Sequence, residues 1–278
     1  MLLTPNGQVL TNNHVVAGAT RIWVTVEGRP GALEATVLGA APLDDVALLQ
    51  VRGASSLPTV RVATSSGLRV GDEVVALGHP SLRGDRAVLT TGEVTALGRD
   101  VLVGPGERLQ DLIETDAPVR PGESGGALVN AVGEVVGMIT ASERTAFDRV
   151  RSSFAIPVER ALEIVEDIRA GRESHRVVVG PAAFLGVAVR DLDPSTASRV
   201  GVDAGALVVG VVPGSPADRA GLRDGSVITR VAGEAVTSVG SLRPAIYTRE
   251  PGKRVTVTWV DATGVHTTSV TLAEGPAV

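Results

Sequence analysis

From residue 1 to about residue 156 the sequence never holds a 3.6-residue apolar period for three turns. It runs in short apolar or alternating stretches broken by Gly, Pro, Asn and Asp. Residues 21–26, 46–51, 73–77, 87–97 and 134–139 read as strands, and no helical crossover separates them. Parallel strands need a connection of a dozen or more residues, usually a helix, so a doubly wound α/β fold is excluded. What remains is a mainly β fold, a sandwich or barrel, with 33 Gly and 16 Pro in 278 residues to make its turns.

The pattern changes at Pro157. Val158, Ala161, Leu162, Val165 and Ile168 recur at helical spacing, Pro157 suits a helix start and Gly171 a stop, so one amphipathic helix is expected over 157–170. Residues 171–182 are polar at first and then broken by Gly180-Pro181, the composition of a linker. The remainder, 183–275, is enough for one small domain, with strands expected at 185–189, 206–212, 227–231 and 254–260. Two short helices are expected there. Ser215-Pro216 followed by Gly221 frames the first as N-cap, first helical residue and terminator, and the second lies near 241–248 despite Pro244.

Composition narrows the function. Lys and Arg total 26 against 31 Asp and Glu, a formal charge of −5, so the chain has no overall positive field to hold a nucleic acid backbone. Cysteine is absent, which removes disulfides, thiol catalysis and Cys-ligated metals. No apolar stretch is long enough to span a bilayer, and no signal-peptide pattern opens the chain. The chain starts directly on a strand-like run and an Asn6-Gly7 turn, as if its beginning were cut; a first barrel short of an edge strand is expected.

Three blocks carry the chemistry: Val9-Leu-Thr-Asn-Asn-His14-Val-Val-Ala-Gly-Ala19, then Leu43-Asp-Asp45-Val-Ala-Leu-Leu49, then Thr115-Asp-Ala-Pro-Val-Arg-Pro-Gly122-Glu-Ser124-Gly-Gly126. Each resembles the matching block of the HtrA/Deg serine proteases, a branch of the chymotrypsin-like fold, and they occur in that fold's order of His, Asp, Ser. Further similar segments are 70–78, 133–138 and 154–157, so the resemblance covers nearly all of 1–170. It implies a chymotrypsin-like double β-barrel, N-terminally truncated, with His14 as general base, Asp45 as its orienting carboxylate and Ser124 as nucleophile. Strand alternation does not decide between Asp44 and Asp45; the family's register selects Asp45.

These residue types suit the role because a serine hydroxyl is a poor nucleophile until an imidazole accepts its proton, and a carboxylate on the far ring nitrogen fixes the tautomer. By the same resemblance the N–H groups of Gly122 and Ser124 form an oxyanion hole. Position 123 departs from the family, which usually carries Asn there; Glu123 is expected to point to solvent, since a carboxylate in the hole would oppose the developing charge. Val119 and Met138, Ile139 and Thr140 are expected to line the substrate pocket. With no acid among them, a small or medium apolar side chain before the cut is expected, and hence unfolded or damaged protein substrates.

Ala183-Phe-Leu185-Gly186-Val187-Ala-Val189, Val212-Pro-Gly-Ser-Pro-Ala217 and Ala220-Gly-Leu-Arg-Asp-Gly-Ser-Val-Ile228 look like a PDZ domain. The resemblance places Leu185, Gly186 and Val187 in the loop that captures a peptide's C-terminal carboxylate.

Rival readings are weaker. Gly122-Glu-Ser124-Gly-Gly126 also fits the G-x-S-x-G elbow of α/β-hydrolases, but that elbow precedes a helix and its acid and His follow the Ser, whereas here a strand-like run follows and the His comes first. Phosphate binding by the same turn lacks a Lys and a following helix. A non-enzyme alternative is a PDZ peptide-binding scaffold beside an inactive protease-like domain. The reading adopted is a serine endopeptidase with one PDZ domain and no metal or organic cofactor. Its expected partners are unfolded proteins and C-terminal peptides, not nucleic acid; the resemblance implies a homotrimer and an extracytoplasmic place in the cell envelope.

Overall fold

A computed structural model describes residues 1–19, 21–63, 67–79, 87–104, 107–120, 122–144, 150–174, 176–180, 182–247 and 249–275. The first sheet is built from β1 (Gln8–Thr11), β2 (Ile22–Thr25), β3 (Ala32–Ala41) and β4 (Val46–Val51), with the short helix α1 (Asn13–Val16) directly after β1. β4 runs antiparallel between β1 and β3. Its sequence, Val-Ala-Leu-Leu-Gln-Val, is apolar at nearly every position because both faces are covered. Val46 and Leu48 face a cluster with Leu112, Phe154 and Met138, while Ala47, Leu49 and Val51 face a second with Val9 and Val16.

The second sheet closes on itself: β5 (Glu73–Gly78), β6 (Val88–Gly104), β7 (Glu107–Thr115), β8 (Ala127–Asn130), β9 (Val135–Arg144) and β10 (Val150–Pro157) form a barrel in the order β10-β7-β6-β5-β8-β9. β6 runs well beyond the expected 87–97, pairing with β7 through several register shifts, so Gly98 interrupts the ladder without ending the strand. β9 likewise continues past Ile139, held by β10 up to the pair Arg144 and Val150. The first sheet, by contrast, is open, with β1 at one edge and β2 and β11 (Val178–Val179) both pairing the far side of β3.

Helix α2 (Val158–Arg169) seats Ala161, Ile164, Val165 and Ile168 in the cluster that joins the two sheets. Burying four such side chains stabilises the pair by several kcal/mol, at roughly 1.5–3 kcal/mol for a large aliphatic one.

The remaining elements form a second unit with its own core, centred on Leu185, Leu222, Ile228, Val257 and Trp259. After the two-residue strand β12 (Ala183–Phe184) come β13 (Val187–Asp191), α3 (Pro194–Val200), β14 (Ala206–Val211), α4 (Pro216–Ala220), β15 (Val227–Val231), β16 (Glu234–Ala235), α5 (Val239–Tyr247), β17 (Arg254–Asp261), β18 (Gly264–Thr271) and β19 (Ala273–Glu274). The main sheet has the order β13-β14-β15-β17-β18, so β13 is an edge strand. α4 has the expected frame: Ser215 Oγ accepts from the N–H of Asp218, and Gly221 ends the helix at φ 94°. α3 is an addition, started by Asp193, whose carboxylate accepts from the N–H of Thr196, and by Pro194. α5 begins at Val239, two residues before the expected start, so Pro244 lies inside it; His175, Pro181 and Thr248 fall outside the described residues.

Candidate active site

The site lies where the two sheets meet. α1 carries His14 out from the end of β1 with its side chain half exposed. Asp45 ends the turn Pro42–Asp44 in a left-handed conformation, φ 54°, immediately before β4. That conformation turns successive carboxylates to opposite sides. Asp45 accepts at Oδ2 from His14 Nδ1, 2.8 Å, and at Oδ1 from the His14 backbone N–H, 2.9 Å. Asp44 instead takes Arg160 of α2 and Arg176, the latter through Nε at 2.9 Å to Oδ2 and through a second, shorter contact. Geometry therefore separates two acids that strand alternation leaves equivalent.

The carboxylate at Nδ1 places the ring proton on that nitrogen, which makes Nε2 the accepting nitrogen of the neutral ring. Asp45 is buried, so its charge needs partners. Thr140 supplies one: its Oγ1 donates to Asp45 Oδ2 at 2.6 Å. Asn12 fixes the same turn by donating from Nδ2 to the Asp45 carbonyl at 3.1 Å.

Ser124 lies on the turn between β7 and β8, partly buried, and its Oγ donates to the carbonyl of Thr140 at 3.2 Å. One residue of β9 thus holds the serine through its backbone and the aspartate through its side chain. The hydroxyl has one proton, so it must rotate away from Thr140 to hand that proton to an imidazole. Gly122 adopts φ 95°, and among the described residues the N–H groups of Gly122 and Ser124 make no backbone hydrogen bond, whereas those of Glu123, Gly125 and Gly126 do.

Glu123 does not point to solvent. It is 2% exposed, its Oε2 accepts from the Arg120 N–H at 3.0 Å, and Oε1 has no partner among the described residues. The reason is local: Gly78, at the end of β5, leaves a slot that the Glu123 Cβ and Cγ fill. The side chain is drawn back under its own turn, a position that its charge alone would not suggest.

Of the four pocket candidates, Val119 and Ile139 sit in the second-barrel core and Met138 in the cluster between the sheets. Thr140 lies on a cavity of about 760 Å³ that opens beside His14 and also reaches Leu43, Ala141 and, from α5, Tyr247. The sequence reading missed Thr140 as the donor to Asp45; only the packing of the second sheet, which holds β9, against the first brings the two together. In the second unit the carbonyls of Leu185 and Gly186 accept from Ala217 and Val212. Because peptide units are planar and trans, the N–H groups of Gly186 and Val187 point the other way, to the open edge of β13.

Among the described residues no helix is long and apolar enough to cross a membrane.

Comparison with known proteins agrees with this layout. Residues 1–138 match the family of the trypsin-like peptidase domain, and 183–272 match the PDZ domain. The chain is 38% identical over 255 residues to a probable periplasmic serine endoprotease DegP-like of Ectopseudomonas mendocina (strain ymp), covering 91% of this chain and 51% of the relative. It is 38% identical over 252 residues to the periplasmic pH-dependent serine endoprotease DegQ of Escherichia coli (strain K12), covering 90% and 53%. The chain thus spans about half the length of the curated relatives it matches. Among solved structures, the HtrA-type protease AlgW with decapeptide superposes with a TM-score of 0.55 at 30% identity, over 99% of this chain and 82% of that one.

Proposed function

The chain belongs to the HtrA-type serine proteases, with a trypsin-like peptidase domain followed by a PDZ domain, and from that premise we propose that it is an endopeptidase cleaving unfolded or damaged proteins through His14, Asp45 and Ser124. One observation carries the reading: His14, Asp45, Thr140 and Ser124 form one connected set of hydrogen bonds across both sheets.

In the proposed reaction Ser124 Oγ turns from the Thr140 carbonyl to His14 Nε2, loses its proton there and attacks the peptide carbonyl. Asp45 holds the ring and stabilises the imidazolium, and Thr140 holds Asp45 in place through its Oγ1. The N–H groups of Gly122 and Ser124 receive the oxyanion. His14 then protonates the leaving amine, and a water repeats the cycle to release the acyl group.

The proposal takes residues 1–170 as the protease unit, 171–182 as the linker and 183–275 as the PDZ unit. Of the four expected pocket residues Thr140 faces the cavity beside His14, with Val119, Met138 and Ile139 packed in the cores behind it, and an apolar side chain before the cut remains part of the proposal. A peptide C-terminus adds as a strand to β13, its carboxylate on the loop Leu185, Gly186 and Val187, which serves substrate capture or control. The periplasmic relatives support an extracytoplasmic setting, and a homotrimer belongs to the same proposal.

Cleavage of casein by this chain and by Ser124→Ala, with and without a peptide ending in an apolar residue, tests the reading. Activity lost in the variant and raised by the peptide is expected. Equal cleavage by both chains would overturn it, and if both are inert the alternative of a peptide-binding scaffold takes its place.

A further inference from the structure

Glu123 is a buried acid that the proposed reaction does not use, and it sits between the two residues whose N–H groups receive the oxyanion. Its contacts run both ways along the same turn. Glu123 donates its backbone N–H to the Arg120 carbonyl at 3.1 Å, and its Oε2 accepts from the Arg120 N–H at 3.0 Å. Its own carbonyl accepts from the Gly126 N–H at 3.0 Å. One residue therefore holds both backbone polar groups of Arg120. The N–H groups of Gly122 and Ser124, on either side of it, make no backbone hydrogen bond among the described residues.

The turn needs such a brace. Gly122, at φ 95°, lies where glycine moves at little steric cost, so the direction of its N–H is set by the bonds around it and not by its own preference. The stem of Glu123 gives those bonds a fixed base. A Cβ on Gly78 would meet the Glu123 Cβ and Cγ at 2.5 Å, and one on Gly126 would meet the Leu77 carbonyl oxygen at 2.2 Å, so the turn is pressed against the end of β5 at two places. From that slot the carboxylate ends on the Arg120 N–H, and its Oε1 has no partner among the described residues. What the side chain contributes is an acceptor at a set reach. The Asn usual at this position in the family is one methylene shorter.

We propose that Glu123 is a positioning residue for the oxyanion hole: by closing the turn on the Arg120 N–H it keeps the Gly122 and Ser124 N–H groups aimed at the developing charge. The inference rests on the serine endopeptidase reading and adds a residue that touches neither substrate nor reacting atoms.

The test uses the full chain with Glu123→Met and Glu123→Gln, a chromogenic peptide with an apolar residue before the cut, and the matching peptide aldehyde and alcohol as inhibitors. Met has the length of Glu, so it fills the slot at Gly78 while removing the acceptor and the buried charge, and the melting temperature should stay within a few degrees. In Glu123→Met kcat should fall roughly ten- to hundredfold with KM within about twofold, less than the 10²–10³ that loss of a whole oxyanion donor costs. The aldehyde, whose adduct with Ser124 places an oxygen in the hole, should lose affinity by the same factor, and the alcohol, which forms no adduct, should lose none. Glu123→Gln keeps an acceptor for the Arg120 N–H and should recover kcat to within about threefold of the parent. Equal losses for aldehyde and alcohol, an unchanged kcat in Glu123→Met, or a Gln variant as slow as the Met variant overturns the role and leaves the protease standing. Should Glu123→Met not fold, the two inhibitors are compared in Gly78→Ala, which pushes the same stem, and the same outcomes decide. A parent chain that neither cuts the peptide nor prefers the aldehyde overturns the peptidase reading and this role with it.

Discussion

The hydrogen-bond set around Asp45 makes distinct demands on single residues. Asp45→Asn keeps the left-handed turn, which Asn tolerates well, but presents an amide to His14 and favours the wrong tautomer. A loss of about 10⁴ in kcat with an unchanged melting temperature is expected, read by peptide hydrolysis and calorimetry on the same sample. Glu123 poses the opposite case, a buried carboxylate with a single N–H donor and one oxygen unpartnered among the described residues. Removing its charge in Glu123→Gln keeps the acceptor for the Arg120 N–H, so stability should rise by about 1 kcal/mol. A lower denaturation midpoint for that variant would show that the charge is compensated.

At the scale of elements, two close approaches fix the sites. A Cβ on Gly78 would stand 2.5 Å from the Glu123 Cβ and Cγ and 2.9 Å from its Cα, so the turn that carries Ser124 must move. Gly78→Ala should therefore lower kcat by about a hundredfold, on the order of what small displacements of reacting groups cost, while the circular dichroism of the barrel persists. In the second unit Gly186 has φ 88° and lies against the Ser215 side chain, which also caps α4. Gly186→Ala should strain the loop and abolish binding of C-terminal peptides, measured by calorimetry, without touching hydrolysis of a short peptide. Elements of this kind were partly legible. The Ser215-Pro216 and Gly221 frame of α4 stands plainly in the sequence, and Asp193-Pro194 with Gly201 repeats that frame for α3, a signal that was there to be read. The extensions of β6 and β9 were not legible, because a strand that continues through register shifts is held by its partner's hydrogen bonds and not by its own alternation.

For the whole molecule, Asp44 is the tie. Through Arg160 it holds α2, and through Arg176 it holds the segment leading to the second unit, all one residue from Asp45. Asp44→Ala leaves the mostly buried Arg160 and the half-exposed Arg176 guanidinium groups without that partner and should cost about 1–3 kcal/mol, seen as a lower urea midpoint. Tyr247 of α5 packs against both the second unit's core and the cluster around Val9 and Val16, so α5 ties the second unit to the cavity beside His14, which it also lines. The sequence by itself determined the mainly β architecture, the order of His, Asp and Ser blocks and the likeness of the second unit to a PDZ domain. These rest on local periodicity and on short motifs whose spacing is fixed by the chain. Only the tertiary structure decided that Asp44 turns away from His14 to Arg160 and Arg176, that Thr140 joins Asp45 to Ser124, that Glu123 is buried, and that four arginines share one cavity. Each depends on groups brought together from distant parts of the chain, and such contacts are set by how sheets pack, which no local pattern encodes.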